Sequence, residues 1–420
     1  MNWLARLACR APVPVYPAIG RNALPQIQDW RLDARLQWTR SPRQARILLV
    51  AGDILPECRP ALRRLHDQLP APSITLWWRS TPLAGLADRA VVFEDADELG
   101  TIAGDACRSL LLGDRQGEPN LCPDEPPAPF EGRGDHGQGG EGMMGGKPYG
   151  RPMAMTAEDL RDGLELDPLE FSIGPFWPVL PPGLAARLVL HGDVIAEVEI
   201  TSAPFPVDLQ PVFEQALERP VPIADLEMAR ARNHLRQLSN SMWLSGLESA
   251  SLSVLRQVQA LQPHDSISGL CERLRRVGFF FSAGAGRGEI SLEQAERLGG
   301  PAARAAGLEQ DARTRDPEYR KLGFRPVGGR GNDCRARWQQ WLDEASQALH
   351  LAGRARSSGA ETSYTESVEA PRGNVQCGRY PADASAILSE LLPGLEWSEA
   401  MATIASLDLA GVADPGEGRA

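Results

Sequence analysis

The chain lacks closely spaced cysteines. Its seven cysteines are spread over 420 residues, and no two of them lie within four residues of each other. Structural zinc sites and iron–sulfur clusters draw thiolates from short spacings such as C-x2-C. The sequence therefore predicts no metal centre and no bound cofactor, and it favours buried free thiols. The six histidines are isolated as well, which favours surface or hydrogen-bonded side chains over metal ligands.

The chain also lacks a long apolar run. No stretch approaches the roughly 18 apolar residues that a membrane-spanning helix needs. The first 21 residues carry scattered arginines instead of the apolar core of a secretory signal. The formal net charge of −11 disfavours a nucleic acid or an anionic membrane surface as the main partner. We expect a cytoplasmic protein without a transmembrane segment, which could still sit on the inner face of the cell membrane through a membrane-bound partner.

The pattern that is present begins as α/β. An apolar run at 46–51 is followed by a segment at 60–69 in which leucines recur on one helical face. Two further apolar runs follow at 73–78 and 90–93. Buried strands that alternate with amphipathic helices indicate βαβ units on a parallel sheet. We predict a small flavodoxin-like α/β domain over residues 1–113.

Residues 114–168 interrupt this pattern. Eight of the sixteen residues from 131 to 146 are glycine, which predicts a linker or a segment ordered by a partner. The letters GRGDHG from residue 132 satisfy the spacing of a dinucleotide loop, but no strand precedes them and the nearby acidic residues would repel a pyrophosphate. Four methionines and Tyr149 follow, and we hypothesise that this part docks on a partner. The alternative is that it packs across the chain's own two domains.

A different pattern occupies residues 169–413. Residues 171–200 are typical of a β-hairpin with tight turns. Three-four spacing of apolar residues then predicts helices at 224–247, 252–261, 266–277, 292–298 and 335–351. We predict an α-rich helical bundle with a small β-hairpin cap, a polar loop at 354–366 and a frayed tail at 414–420.

Two consecutive segments of the first half carry a family resemblance. Residues 41–52 (SPRQARILLVAG) and 59–70 (RPALRRLHDQLP) resemble the protein of complex I, NADH–quinone oxidoreductase, that is related to the [NiFe]-hydrogenase small subunit. In that family four cysteines hold a [4Fe–4S] cluster. Here the first two would fall near residues 16–17 and the third near Ser80, while Cys122 lies too far downstream for the last. The resemblance implies the fold without the cluster.

Five parts of the second half resemble the complex I protein that is related to the [NiFe]-hydrogenase large subunit. They occur in the order of that family. They are GPFWP at 174–178 with LVLHGDVI at 188–195, GPAARAAG at 300–307 with DAR at 311–313, GNDCRAR at 331–337, EAPRG at 369–373 and SLD at 406–408. The resemblance implies a hydrogenase-large-subunit-like helical bundle fused to a hydrogenase-small-subunit-like α/β domain. It covers about residues 35–80 and, with gaps, 170–412.

The departures from the family bear on function. Where complex I has a quinone-contacting histidine in the first hairpin, this chain has Trp177, which has no acid–base capacity. Tyrosine is absent between residues 150 and 318, where the family has a quinone-binding tyrosine. The two C-x-x-C pairs that hold nickel and iron in hydrogenases are missing. The resemblance therefore implies that both the cluster and the quinone headgroup site are lost.

A set of charged residues remains where the family keeps charge. These residues are candidates for a polar axis beside a redox pocket, and the alternative is that their paired charges fix the packing of helices. They are Arg304, Asp311, Arg313, Asp333, Arg335, Glu369, Arg372 and Asp408. No catalytic residue is predicted.

Three functions are compatible with these expectations. The first is a structural or coupling, peripheral-arm-type subunit of a complex I-like or hydrogenase-like membrane-associated oxidoreductase, with antiporter-like membrane proteins as partners. The second is a redox-active subunit that contributes to a quinone site, with its chemistry supplied by partner chains. The third is a stand-alone assembly or regulatory protein. Bound iron or quinone would favour the second, and a monomer or dimer without partners would favour the third.

Overall fold

The computed structural model describes most of the chain. The described residues are 8–123, 168–276, 278, 284–329, 331–363 and 366–414. The dinucleotide-like loop and the methionine-rich segment lie between residues 124 and 167, outside the described residues, as does the tail from residue 415. Within the described part, no helix combines the length and the hydrophobicity that crossing a membrane requires.

The first half is built on a five-stranded sheet in which all strands are parallel. The strands stand in the order β2-β1-β3-β4-β5. Their bounds are β1 Val13–Ile19, β2 Leu36–Trp38, β3 Ile47–Ala51, β4 Ile74–Trp78 and β5 Val91–Phe93. Val15 pairs with Trp38 on one side and with Ile47 on the other, and Leu49 pairs with Leu76. Strands β3 and β4 are buried along their whole length, which explains their uninterrupted apolar sequences.

Strand β1 contains two prolines although it lies between two neighbours. The backbone N–H of Val13 points toward β2, where it donates to the carbonyl oxygen of Arg35. Because N–H groups alternate sides along a strand, Pro14 is turned toward β3 before β3 begins, and Pro17 is turned toward β2 after β2 has ended. The two missing N–H groups thus fall where no partner strand stands, so the sheet tolerates both prolines.

Among the described residues of the first half, three helices cover the sheet. They are α1 Leu24–Trp30, α2 Arg59–His66 and α3 Leu99–Leu112. Helices α1 and α3 pack on one face, and α2 packs on the other. On the α2 face the apolar core continues into Phe176 and Phe205 of the second half. The two halves therefore share one hydrophobic core on that side of the sheet.

Polar contacts around the buried side chain of His66 hold residues 118–122 against the first half. The His66 ring lies between two carboxylates, with Nδ1 2.6 Å from Asp67 Oδ1 and Nε2 3.2 Å from Glu118 Oε2. Glu118 also accepts from Thr75 Oγ1 at 2.7 Å, and Asp67 accepts from two backbone N–H groups of the fastened stretch. Burial by itself lowers the pKa of His66, but the two carboxylates outweigh this effect and raise the pKa. We call this contact the His66 clip.

The second half contains two small antiparallel sheets. The first has three strands in the order β6-β7-β8, with bounds β6 Pro168–Ile173, β7 Ala185–His191 and β8 Val194–Ser202. The predicted small antiparallel element is therefore present. The second sheet pairs β9 Ser367–Ala370 with β10 Gly373–Gln376, and its tight turn lies within the EAPRG segment at 369–373.

Helices make up most of the remaining described residues. The two longest, α5 Ile223–Leu244 and α11 Cys334–Ser358, pack along each other. The others are α4 Pro211–Ala216, α6 Glu248–Ala260, α7 Ser268–Arg276, α8 Leu292–Leu298, α9 Gly300–Ala305, α10 Pro317–Lys321, α12 Leu388–Leu391 and α13 Trp397–Ala405. Leu235 and Leu238 of α5 meet Trp338 and Leu342 of α11 in one buried cluster. Their three-four spacing is the pattern that predicts these helices.

The predicted helices exist, and some ends differ. Helix α11 runs to Ser358, so the first part of the predicted polar loop at 354–366 is helical and that part of the prediction is wrong. The apolar spacing continues through buried Ala355, and Gly359, with φ of +66°, ends the helix. Strands β1 and β2 escape the sequence pattern because β1 carries prolines and β2 has only three residues.

Candidate functional site

The carboxyl ends of β1 and β3 form a crevice where the strand order reverses. Ligands of open parallel sheets usually bind at such a switch point. The turns after these strands approach so closely that a Cβ on Gly20 would lie 2.5 Å from the carbonyl oxygen of Asp53. Asp208 of the second half contacts this edge of the sheet, because its exposed carboxylate accepts from Arg21 Nη2 and from Asn22 Nδ2, each at 2.7 Å.

Helix α1 forms a second set of contacts between the halves. Asp29 Oδ1 lies 2.8 Å from Nη2 of Arg236 in α5, which makes an ion pair. The guanidinium group of Arg31 lies 4.0 Å from the ring centroid of Trp243, a cation–π distance. The two halves therefore pack directly on each other.

The positions that correspond to cluster cysteines carry other side chains. Tyr16 is buried in β1, where burial raises the pKa of its hydroxyl, and this hydroxyl donates to the carbonyl oxygen of Phe176 at 2.9 Å. Pro17 lies in the same strand, and Ser80 follows β4. Because none of them supplies a thiolate, these residues do not fit an iron–sulfur cluster. In the described ranges, no three histidine, cysteine, aspartate or glutamate side chains converge as a metal site.

A cavity of about 350 Å³ lies between the two halves beside the crevice. Small-molecule sites span roughly 300–1,000 Å³. Most of the wall is apolar and includes Leu24, Val179, Phe205, Leu209, Phe213 and Leu407. Among the described residues that line it there is no serine, cysteine, histidine, lysine or tyrosine. The described wall therefore presents no hydroxyl or thiol nucleophile and no imidazole base, and its charged side chains are Asp208, Arg236, Arg372 and Asp408.

Polar side chains also line the cavity, and they are Asn22, Gln28, Asp208, Gln210, Asn233, Arg236, Gln237, Asn240, Arg372 and Asp408. The side-chain nitrogen of Asn233 is buried and has no hydrogen-bond partner, which makes it a donor that a ligand could satisfy. Arg372, in the turn between β9 and β10, pairs with Asp408 at 2.7 Å (Nη2–Oδ1) and also donates to the carbonyl oxygen of Ala410. Burial raises the pKa of Asp408, and Arg372 opposes this rise. The cavity wall thus includes an amide nitrogen without a partner and the ion pair Arg372–Asp408, in addition to the side chains of Asp208 and Arg236.

Strand β9 also contributes to a buried group of eight titratable side chains, which we call the charge cluster. None of these side chains is more than 3% exposed. The members are Glu227, Arg230, His234, Arg304, Asp311, Arg313, Glu344 and Glu369. Arg304 is central, because its Nε and Nη2 donate to Glu344 at 2.7 and 2.9 Å, and its Nη1 donates to Glu369 at 2.8 Å. Asp311 Oδ2 lies 3.7 Å from the same Nη1.

A second arginine extends the charge cluster toward α5. Arg313 holds Asp311 with two hydrogen bonds, at 3.0 Å from Nε and 2.7 Å from Nη2. Its Nη1 donates to Glu227 at 3.0 Å. Glu227 accepts further bonds from the Tyr319 hydroxyl at 2.7 Å and from Arg230 Nε at 3.3 Å. Such dense pairing is what charged groups need when they are removed from water.

Burial and pairing together set the pKa values in the charge cluster. Burial alone would raise the pKa of Glu344, but Arg304 and His234 hold it well below its usual range. Burial lowers the pKa of His234, whose Nε2 lies 3.1 Å from Glu344 Oε2. Glu369 differs, because burial and the neighbouring Asp311 carboxylate raise its pKa.

The structure gathers some of the predicted polar-axis residues and separates others. The charge cluster contains Arg304, Asp311, Arg313 and Glu369. Arg372 and Asp408 form their own pair at the cavity wall. Asp333 is the N-cap of α11 and accepts from the backbone N–H of Ala336 at 2.7 Å, and Arg335 is exposed in the first turn of that helix. Motifs that lie far apart in the chain thus meet in one interior.

Four members of the charge cluster escape the sequence motifs. They are Glu227, Arg230, His234 and Glu344. The first three recur at three- and four-residue spacing, so they lie on one face of α5. A polar row of this kind on a long helix that also carries apolar rows is the signal that could have revealed buried pairing. Glu344 carries no such signal, because its partners come from other segments.

No protein-family model matches the chain, and no curated protein matches it at a significant level. The resemblance of the two halves to complex I and hydrogenase proteins remains a prediction that rests on the motifs quoted above.

Proposed function

We propose that the chain is a peripheral-arm-type subunit of a complex I-like or hydrogenase-like membrane-associated oxidoreductase, with a structural or coupling role. The observation that carries this proposal is the convergence of the hydrogenase-large-subunit-like motifs. Arg304, Asp311, Arg313 and Glu369 come from two separate motifs and meet in one buried ion-pair network. Networks of this kind hold helices in one arrangement, which a component of a larger assembly requires.

The first half supports the same proposal. Its strand order, 2-1-3-4-5, is the order of flavodoxin-like sheets. At the switch-point crevice, where such sheets bind ligands, Asp208 of the second half accepts hydrogen bonds from Arg21 and Asn22. A crevice used for contact between the halves favours a structural role over a nucleotide site in this domain.

Purification with native partners tests the structural role. We expect the chain to co-purify with membrane proteins, including antiporter-like ones, and to bring no iron of its own. A chain that elutes alone from solubilised membranes and from the cell extract would contradict the assignment and would favour an assembly or regulatory protein. Iron and acid-labile sulfide in stoichiometric amounts on the isolated chain would contradict the absence of a cluster.

A second candidate function is a contribution to a quinone site, and the interdomain cavity favours it. Its apolar wall suits a quinone ring, and the free amide donor of Asn233 suits a quinone carbonyl oxygen. The pair Arg372–Asp408 adds a charged group to the same wall. The predicted loss of the headgroup histidine and tyrosine makes this a binding site of different chemistry from that of complex I.

Titration with a short-chain, water-soluble quinone tests the second function. Asn233→Leu removes the free donor, and we expect an about fivefold weaker Kd, since one hydrogen bond contributes on the order of 1 kcal/mol. Asn374→Leu is a matched control, because Asn374 is exposed on β10 and does not line the cavity. Equal affinity of both variants and the wild type would rule out the Asn233 contact, and no binding to the wild type would rule out the site.

A further inference from the structure

The charges of the charge cluster do not balance. Three arginines face four carboxylates, so one negative charge is in excess when the remaining member, His234, is neutral. Burial lowers the pKa of His234 and favours its neutral form. An uncompensated charge in a buried site is costly, and such a group takes up a proton instead. One additional proton would make the cluster neutral.

The four carboxylates are not equally compensated. Glu344 and Asp311 each accept two hydrogen bonds from one guanidinium group. Glu227 accepts from two arginines and from a tyrosine hydroxyl. The Glu369 carboxyl accepts one guanidinium bond, from Arg304 at 2.8 Å, and one bond from the backbone N–H of residue 312 at 3.1 Å. Glu369 is therefore the carboxyl group of the charge cluster whose negative charge is least compensated by hydrogen-bond donors.

The groups around Glu369 point the same way. Arg304 of α9 faces its carboxyl, and the Asp311 carboxylate lies nearby and repels a second negative charge. Arg230 of α5 donates a hydrogen bond to the backbone carbonyl oxygen of Glu369 and not to its carboxyl group. Glu344 of α11 shares Arg304 with Glu369 and reduces the charge available to it.

A proton can reach Glu369 from one side. A polar cleft of about 860 Å³ lies along the β9–β10 hairpin, and Glu369 and Asp311 form part of its wall. The exposed side chains of Arg315 and Arg379 line the same cleft. Exchange with solvent therefore needs no unfolding of the bundle.

We propose that Glu369 is a buried proton-binding site, which carries one exchangeable proton at neutral pH and thereby neutralises the charge cluster. The proton comes from solvent through the polar cleft and is held on the Glu369 carboxyl; no bond other than this O–H is formed or broken. This inference does not depend on the function proposed above.

Infrared spectroscopy of the intact chain in D₂O at pH 7 tests the proposal directly. We expect the carbonyl stretch of a protonated carboxylic acid in the wild type, its loss in Glu369→Gln and its persistence in Asp408→Asn. Asp408 is the matched control because burial raises its pKa as well. Absence of the acid band, its persistence in Glu369→Gln or its loss in Asp408→Asn would each overturn the proposal. If Glu369→Gln does not fold, absence of the acid band in the wild type or its loss in Asp408→Asn still overturns the proposal.

Stability provides an independent readout. Glutamine has the shape of a protonated glutamate but takes up no proton, so Glu369→Gln should unfold no more readily than the wild type at pH 7. Glu344→Gln removes a carboxylate that accepts two hydrogen bonds from Arg304, and it should raise the unfolding equilibrium constant at least about 100-fold. Because the pKa of Glu369 is raised above 4.5 in the folded state, the wild type should lose stability as pH rises through that raised value, by up to tenfold per pH unit. This slope should be missing in Glu369→Gln, and equal slopes in both proteins would contradict the proposal.

Discussion

Replacement of Arg304 by methionine should be among the most damaging single changes in the second half. The side chain is fully buried, and it joins Glu344, Glu369 and Asp311. Methionine is apolar and unbranched, so it fills much of the volume without supplying a charge. Removal of one partner from a buried ion pair costs about 3–5 kcal/mol, because the remaining charges stay buried without compensation.

This cost translates into a large shift of the unfolding midpoint. For a domain of roughly 150–250 residues, 1 kcal/mol shifts Tm by about 2–4 °C. We therefore expect Arg304→Met to lower Tm by roughly 6–20 °C, measured by calorimetry or circular dichroism. The deficit should shrink as pH falls from about 7.5 to about 5.5, since carboxylates that lose Arg304 acquire raised pKa values and take up protons.

A matched control separates charge burial from the loss of an arginine as such. Arg297 pairs with Glu390 at 2.6 Å, but both side chains are about half exposed. Arg297→Met should leave Tm unchanged within error, because water replaces the lost partner. The double variant Arg304→Met/Glu344→Met should be more stable than Arg304→Met alone, as it removes one of the stranded charges. If Arg304→Met and Arg297→Met unfold at the same temperature, the charge cluster does not stabilise the bundle and the reasoning fails.

Three further predictions concern the first half and its contact with the second. The pKa of His66 is raised above 6.5, so the stabilisation by the His66 clip is complete below pH 6.5 and is lost as pH rises through the folded pKa. The free energies of unfolding of the wild type and of His66→Gln, measured with urea across this range, should converge at high pH. A constant difference between the two proteins would contradict this prediction. Gly20→Ala should destabilise the chain by roughly 1–3 kcal/mol, because the added Cβ would meet rigid backbone. Gly104→Ala lies in a helix with free space around it and should stabilise the chain by about 0.5–1 kcal/mol. Equal effects of the two substitutions on thermal unfolding would refute the steric argument. After cleavage at a protease site introduced between residues 124 and 167, the two fragments should elute together in size-exclusion chromatography. Arg236→Glu should weaken their association at low salt, because it replaces the ion pair with Asp29 by a repulsive contact between two carboxylates. Separation of the wild-type fragments would show that the contact between the halves is too weak to hold them together.

Local patterns account for the elements that the sequence predicted correctly. Strands β3 and β4 and helices α5 and α11 are long or uniformly apolar enough for their periodicity to be read directly. Strand β1 could not be read in this way. Its prolines argue against a central strand, and they are tolerated only because the ends of β2 and β3 leave the two positions unpaired. That arrangement is a property of the assembled sheet.

The residues of the candidate site were also only partly predictable from the sequence. The motifs singled out Arg304, Asp311, Arg313 and Glu369 in the sequence, but not the partners that surround them. Helix α5 contributes its row of charges, and Glu344 of α11 contributes the carboxylate that Arg304 holds most closely. The interdomain cavity has no sequence signal at all, because its wall combines residues from both halves of the chain.

The sequence by itself determined the α/β character of the first half, the long helices of the second and the absence of closely spaced thiolates, since each depends on residues within a few positions of one another. Tertiary structure alone decided which charges meet, which carboxylate is left with the fewest donors and where the halves leave a cavity. The physical reason is that the pairing and desolvation of Glu369 depend on Arg304 and Asp311, which lie about sixty positions away along the chain and within hydrogen-bond or ion-pair range of one another only after folding.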